Sequence, residues 1–146
     1  MKVVLQRVKQ ASVSVDNQIV GEIGQGLLLL VGFGQNDSET ALKPMAEKLI
    51  NLRIFSDNGG KFNLSLLDIE GEILAISQFT LYGDTRKGRR PDFTAALNPT
   101  EAEKLYNQFL ALLKTYPLKK IASGVFAAHM DVALINDGPV TLTLDC

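Results

Sequence analysis

The sequence is poor in the side chains that most often carry acid–base and nucleophilic catalysis. Among its 146 residues there are one histidine, one cysteine and no tryptophan. A single cysteine, Cys146, cannot form an intrachain disulfide, which predicts a reducing, cytoplasmic compartment. A serine–histidine–aspartate triad would have to use His129, and Cys146 at the end of the sequence is a poor candidate nucleophile.

Long apolar runs and clustered metal ligands are also absent. The longest apolar run, 27–31, is too short to span a bilayer, and Arg7 interrupts the first apolar run too early for a signal peptide. No cysteine–histidine set has zinc spacing, no carboxylates cluster as they would for magnesium, and neither glycine-rich nucleotide motif occurs. We therefore expect no membrane segment, no metal and no cofactor.

The composition is typical of one globular domain over residues 1–146. Apolar residues make up 46% of the chain and charged residues 21%, which excludes a disordered chain. The net charge is −1, whereas a domain that coats duplex DNA is usually far more basic. We therefore expect no DNA partner, and any contact with nucleic acid requires a local basic patch.

The apolar pattern predicts a strand-rich chain with two main helices. The first helix follows Ser38 or Thr40 as its cap, because apolar residues recur at helical spacing up to Ile50. In the second, Asn98 and Glu101 form a capping pair around Pro99. The expected fold class is α/β, with a curved sheet or barrel core and both helices packed outside. The predicted strands span 3–8, 11–15, 27–33, 71–82, 125–135 and 140–144.

His129 falls within the predicted strand 125–135, with Ala127 and Asp131 as its neighbours on the same face. This position favours a structural histidine over a catalytic one. The glycines of Gly32-Phe33-Gly34, after the buried run, indicate an ordinary loop.

Three polar segments are candidates for function, and each has an ordinary structural interpretation. Ser77-Gln78-Phe79-Thr80-Leu81 is either a strand edge fading into a turn or a pocket wall whose amides stabilise an oxyanion. Arg86-Lys87-Gly88-Arg89-Arg90 is either a solvated loop or a flexible phosphate-binding loop.

The third segment is Asn136-Asp137-Gly138-Pro139-Val140-Thr141. It fits a hairpin centred on Asp137-Gly138, after which Pro139 opens the next strand. A second frame places Gly138 and Pro139 at the two central turn positions, which requires a cis bond. Only about 5–6% of X–Pro bonds in folded proteins are cis, so turn chemistry alone does not select that frame.

Taken together and in this order, these segments resemble the D-aminoacyl-tRNA deacylase family, and the resemblance covers essentially the whole chain. It includes Gln6-Arg7-Val8, Gly26-Leu27-Leu28 and Leu52-Arg53-Ile54-Phe55. Its most specific parts are the 77–81 and 136–141 segments, and the basic loop fits as well.

The resemblance implies a homodimer with an active site at each subunit interface, acting on the 3′ end of aminoacyl-tRNA. It implies that a cis Gly138-Pro139 reaches into the pocket of the other subunit, where it admits D-amino acids and rejects L-amino acids, and that Arg7 holds this element. Ser77 to Thr80 would form the other wall, with Met130 nearby. The implied site comprises Gln78, Phe79 and Thr80 for catalysis, Ser77, Met130, Gly138, Pro139 and Arg7 for substrate, and Arg86, Lys87, Arg89 and Arg90 for tRNA.

The implied chemistry is ester hydrolysis, in which amides near Phe79 and Thr80 stabilise the oxyanion and the ribose 2′-hydroxyl assists. Glycyl-tRNA is also an expected substrate, because glycine has no side chain to exclude. Two alternatives stay open: an editing domain specific for L-aminoacyl-tRNA, and a non-catalytic tRNA-binding module that uses the basic loop. The sequence does not identify the preferred tRNA or D-amino acid.

Overall fold

The computed structural model describes all residues from Met1 to Cys146 and has a mixed α/β architecture. Its two helices are α1 (Leu42–Asn51) and α2 (Pro99–Leu113), and a 3₁₀ turn at Glu39–Ala41 precedes α1. A second 3₁₀ turn, Phe79–Tyr82, is called the 79–82 turn below. The strands are β1 (Lys2–Val15), β2 (Gln18–Ile23), β3 (Gly26–Gly32), β4 (Phe55–Ser56), β5 (Phe62–Leu64), β6 (Glu72–Ser77), β7 (Lys120–Ser123) and β8 (Asp131–Asp145).

Six strands form one curved sheet, in the order β2-β1-β3-β6-β7, with β8 paired to the other edge of β1. β1 pairs antiparallel with β2, β3 and β8, whereas β3–β6 and β6–β7 are parallel. β2 also lies beside β6 and β7, so the sheet curls towards closure. The predicted class, a curved sheet with two helices outside, is confirmed.

The continuous apolar run of β3 is explained by burial on both faces of the sheet. Leu27, Leu29 and Val31 face the helices and join the main core, which includes Phe109 of α2. Leu28 faces the inner side of the curve, where Leu74 of β6 belongs to a second apolar cluster. A strand covered on both faces needs apolar residues at successive positions rather than alternating ones.

The N-terminus of α2 has the predicted capping pair. The Asn98 side chain accepts a hydrogen bond from the Glu101 backbone N–H (3.1 Å) and donates one to the Glu101 carboxylate (2.6 Å), with Pro99 at the first helical position. The prediction for α1 was wrong: neither Ser38 nor Thr40 caps it, because a 3₁₀ turn enters the helix first. Neither helix has the length and apolar content that a membrane-spanning helix requires.

β8 is a single continuous strand, whereas the sequence suggested two strands joined by a hairpin turn. Both of its halves pair with β1, with Gln6 opposite Thr141 and Val8 opposite Asn136. Four residues, 137–140, therefore lie opposite Arg7 alone, and they form a bulge in a continuous strand. The predicted turn at Asn136–Pro139 was wrong because local turn chemistry does not specify on which strand the following residues pair.

Three other strand boundaries also differ from the prediction. The strand predicted for 71–82 ends at Ser77, because the 79–82 turn follows it. β1 is continuous from Lys2 to Val15, although the sequence suggested a break after Val8. The strand predicted for 125–135 begins only at Asp131, because the preceding residues form turns.

The cap geometry gives a direct test of the fold. We expect Asn98→Ala to lower the free energy of unfolding by about 1 kcal/mol, since the Glu101 N–H loses its acceptor. Asn107→Ala, at an exposed position within the same helix, is the matched control and should leave stability unchanged or raise it by about 0.5 kcal/mol. Urea unfolding of both variants measures the difference, and equal effects would contradict a capping role.

Candidate functional site

A cleft of about 610 Å³ lies where the C-terminal end of β6 meets the start of α2. Eleven of its sixteen lining residues are hydrophobic, and the polar ones are few, a composition typical of a small-molecule site. β6 contributes Ile76 and Ser77, and the N-terminal end of α2 contributes Pro99 and Ala102. The remaining wall comes from Gln78, Phe79, Phe93, Ala96, Leu97, Asn98, residues 126–130 and Val132.

The 79–82 turn meets this cleft at its first residue, Phe79. Its first internal hydrogen bond is donated by the Leu81 N–H to the Gln78 carbonyl (3.3 Å). The amides of Phe79 and Thr80 precede that bond, and the first N–H groups of a helical turn have no acceptor within it. The Gln78 N–H donates to the Val31 carbonyl (2.7 Å), which fixes the start of the turn against β3.

Thr80 is exposed on the turn and does not line the cleft. Its hydroxyl oxygen accepts a hydrogen bond from the side-chain amide of Gln78. An amide is not a base, so this contact gives the Thr80 hydroxyl no means of losing its proton.

The predicted basic loop is joined to the cleft by an aromatic pair. The Phe79 and Phe93 rings lie edge to face, with centroids 5.2 Å apart. Between these residues, Asp84 and Asp92 exchange backbone hydrogen bonds of 2.7 and 2.9 Å, which close the base of the loop. The loop therefore begins and ends at the rim of the cleft.

Only one cation of this loop is neutralised by a carboxylate. Arg86 forms a salt bridge with Asp84 (2.6 Å), and its guanidinium lowers the pKa of that carboxyl to about 2. Lys87, Arg89 and Arg90 are exposed and have no carboxylate within salt-bridge distance. The loop thus presents an uncompensated positive patch.

Gly138 and Pro139 lie in the bulge of β8, exposed to solvent, and the peptide bond between them is cis. The Asn136 side chain spans the bulge, donating to the Val140 carbonyl (3.1 Å) and accepting from the Val140 N–H (3.4 Å). A Cβ added to Gly138 would lie 2.0 Å from the Asn136 side-chain oxygen, so the bulge requires glycine there.

Arg7 holds the base of the same bulge. Its Nε donates to the Asp137 carbonyl (2.7 Å) and lies 3.3 Å from the Asp137 carboxylate, while Nη1 donates to the Ile54 carbonyl. The guanidinium carbon is also 5.1 Å from the centre of the Phe62 ring. Arg7 is 7% exposed, and this one side chain joins β1, the approach to β4 and the bulge of β8.

The structure brings together only some of the predicted site residues within one chain. Ser77, Gln78, Phe79 and Met130 line the cleft, whereas Gly138 and Pro139 do not. At about 3.3 Å per residue, Gly138 lies up to about 20 Å along β8 from Val132, the member of that strand that reaches the cleft. The bulge therefore does not contribute to the cleft of its own chain.

His129 and Phe93 are residues of the cleft that the sequence did not identify. The predicted structural role of His129 was wrong, because its side chain is 96% exposed at the cleft and 4.0 Å from the Asp131 carboxylate. His129 lies before β8 rather than within a strand, so its side chain is not packed against neighbouring strands as predicted. Phe93 had no local motif of its own, and only its place after the basic loop could have indicated it.

Residues 4–145 of the chain match a family described as D-Tyr-tRNA(Tyr) deacylase. The D-aminoacyl-tRNA deacylase of Thermosipho africanus (strain TCF52B) is 57% identical over 145 residues, covering 99% of this chain and 97% of that protein. The protein of the same name from Halothermothrix orenii (strain H 168 / OCM 544 / DSM 9562) is 56% identical, with the same coverage. The resemblance inferred from the motifs is confirmed.

Two solved structures share the fold of this chain. A structure described as c-Myc DNA Unwinding Element Binding Protein superposes with a TM-score of 0.94 and 44% identity, covering 100% of this chain and 99% of that one. A probable eukaryotic D-amino acid tRNA deacylase superposes with a TM-score of 0.85 at 21% identity, covering 99% and 98%, and shares the fold.

The contribution of the Arg7 hydrogen bonds to stability can be distinguished from the contribution of its ion pair with Asp137. We expect Arg7→Lys to lower the free energy of unfolding by about 2 kcal/mol, because an ammonium cannot reach the Asp137 and Ile54 carbonyls at once. Asp137→Asn is the matched control. It keeps the backbone carbonyl and should cost less than about 1 kcal/mol, since the ion pair is partly exposed. Urea unfolding measures both, and the reverse order would contradict this role.

Proposed function

Because the chain belongs to the D-Tyr-tRNA(Tyr) deacylase family, we propose that it hydrolyses the ester bond between a D-amino acid and the 3′ end of tRNA. The chain is therefore a hydrolase that proofreads the handedness of aminoacyl-tRNA. The observation that carries the proposal is the apolar cleft that ends at the 79–82 turn, with a basic loop at its rim. No cofactor is required by this chemistry.

The protein acts as a homodimer in this proposal, with each cleft completed by the partner. β8 pairs only with β1, so a fifteen-residue strand has one free edge, and Ile135 and Leu142 on it are 50% and 38% exposed. Long exposed edges of this kind are normally covered in native proteins. A second copy packed against β8 would cover the edge and carry Gly138-Pro139 to the opposite cleft.

The 79–82 turn supplies the electrostatic stabilisation in this mechanism. Attack of water on the ester carbonyl forms a tetrahedral oxyanion. The backbone amides of Phe79 and Thr80, at the start of the turn, donate hydrogen bonds to it. One such donor is commonly worth about 3–4 kcal/mol of transition-state stabilisation. Ser77 and Gln78 position the substrate, with Met130 on the facing wall.

Water activation is assigned to the substrate rather than to a protein base. The free 2′-hydroxyl of the terminal ribose adjoins the ester and assists the attacking water, while the 3′ oxygen leaves with a proton. Thr80 is a poor nucleophile because its only side-chain partner is the Gln78 amide. This assignment is consistent with a cleft that contains one histidine and no carboxylate.

Chirality is selected by shape. The ammonium and the ester fix two substituents of the substrate Cα, so the other two directions exchange hydrogen and side chain between D and L. The partner's Gly138-Pro139 backbone, held by Arg7 and Asn136, occupies the direction that an L side chain needs. Glycine has no side chain to exclude, so glycyl-tRNA is also a substrate.

The basic loop contacts the tRNA backbone. Lys87, Arg89 and Arg90 lack carboxylate partners and are exposed at the cleft rim, where the phosphates of the 3′ strand must pass. Arg86 is tied to Asp84 and contributes mainly by shaping the loop. Such contacts position nucleic acid without reading its bases.

One assay separates this function from its alternatives. The protein is incubated with D-tyrosyl-, L-tyrosyl- and glycyl-tRNA, and release of the amino acid is followed. We expect release from the D- and glycyl substrates, with the L substrate at least about 100-fold slower, which corresponds to about 2.7 kcal/mol of steric discrimination. Preferential release of L-tyrosine would indicate an L-specific editing domain. Binding without release would indicate a tRNA-binding module.

A second assay tests the role of the 2′-hydroxyl. D-tyrosyl-tRNA that ends in 2′-deoxyadenosine should not be hydrolysed, whereas Thr80→Ala should retain substantial activity on the normal substrate. Rates at saturating substrate, with non-enzymatic hydrolysis subtracted, give the comparison. Full activity on the deoxy substrate contradicts substrate assistance, and complete loss in Thr80→Ala returns the chemistry to the threonine.

A further inference from the structure

Tyr82, the last residue of the 79–82 turn, is joined to the loop that follows β3. Its hydroxyl donates a hydrogen bond to the Asp37 carboxylate (2.7 Å). Its ring lies flat against the backbone of Gly34, where an added Cβ would be 2.3 Å from a ring carbon. The Lys2 ammonium lies over the ring, 4.8 Å from its centre. Tyr82, at the C-terminal end of the turn, is therefore held by a hydrogen bond, by backbone packing and by a cation over its ring.

The Asp37 carboxylate is itself held by hydrogen bonds and an ion pair with groups outside the cleft. One carboxylate oxygen accepts from the Gly34 N–H (2.6 Å) as well as from Tyr82, and the other lies 2.6 Å from the α-ammonium of Met1. Burial alone would raise the pKa of Asp37, but these hydrogen bonds and the ammonium outweigh it and lower the pKa. Asp37 thus stays ionised at neutral pH and accepts from Tyr82 throughout.

The two ends of the turn are fixed by different elements. At the start, Gln78 is bonded to Val31 of β3, and at the end Tyr82 is bonded to Asp37. Phe79 and Thr80 lie between these points. Phe79 is 59% exposed, and its ring packs edge to face against Phe93. Release of the Tyr82 end would leave the two amides held by the Gln78–Val31 hydrogen bond and by the packing of Phe79 on Phe93 and of Leu81 on Gly32.

We infer that Tyr82 is a positioning residue for deacylation, which acts by holding the amides of Phe79 and Thr80 in place through Asp37 and Gly34. This inference rests on the proposed function, in which those amides receive the oxyanion. Donors for an oxyanion must be held within about 0.5 Å of the productive position. A turn that has lost the polar anchor at Tyr82 would not meet that tolerance, because apolar packing alone fixes a backbone amide less closely.

Tyr82→Phe removes the hydroxyl and keeps the ring. We expect kcat for D-tyrosyl-tRNA to fall about 10-fold with KM within about twofold, because a displaced donor loses part of the 100- to 1,000-fold effect of a whole one. Tyr106→Phe is the matched control: its buried hydroxyl donates to the Ala75 carbonyl (2.8 Å), away from the turn. Tyr106→Phe should lower the melting temperature about as much as Tyr82→Phe does, and it should leave kcat within twofold of the wild-type value.

Gly34→Ala is a second variant that removes no polar group. The added methyl would displace the Tyr82 ring, so the same loss of kcat is expected with KM unchanged. An unchanged kcat in both variants, or an equal loss of kcat in Tyr106→Phe, would overturn the inference.

Amide hydrogen exchange tests the anchor without substrate. In Tyr82→Phe, the Leu81 and Gly83 amides, which donate to the Gln78 and Thr80 carbonyls, should lose protection at least about tenfold relative to Tyr106→Phe. The Gln78 amide, bonded to Val31, should keep its protection. Unchanged exchange at Leu81 and Gly83 would refute the anchor. If the anchor holds but the wild-type protein releases no D-tyrosine, the proposed function fails instead.

Discussion

The parallel pairing of β3 with β6 is the constraint on which the site depends. Leu27 to Val31 lie opposite Ile73 to Ser77, so both strands end at the same edge of the sheet. The loop after β3 and the 79–82 turn after β6 must therefore meet, and Gly34 and Tyr82 are the residues that touch. Apolar burial on both faces of these strands stabilises the pairing, and the site takes its geometry from the core.

The proposed site is built from two parts with different mechanical support. The 79–82 turn is held by the sheet and by the half-buried carboxylate of Asp37. The Gly138-Pro139 bulge lies on an edge strand and is held by single side chains, Arg7 and Asn136. In the proposed dimer each cleft combines a part fixed within one chain with a part supplied by the other, so chiral selection depends on how the two chains are docked.

Much of the fold could be predicted from the sequence because its signals are local. The Asn98 cap and the doubly buried β3 run depend on neighbouring residues, and both are as expected. The course of β8 could not be predicted, because a bulge and a hairpin use the same turn residues, and only pairing with β1 distinguishes them. The place of His129 in the cleft and the Tyr82–Asp37 bond also depend on segments far apart in sequence, which no short motif encodes.

Because of the bulge in β8, the number of residues in this part of the chain can change without changing how the strands on either side pair with β1. The residues before it and after it pair with β1 in separate registers, and Arg7 alone faces the interval between them. Residues could therefore be gained or lost between 137 and 140 without sliding either ladder, whereas a one-residue change within a ladder reverses every side chain beyond it. This stretch is thus the part of the sheet in which evolution or design can change the length of the bulge while the pairing of the curved sheet around it stays the same.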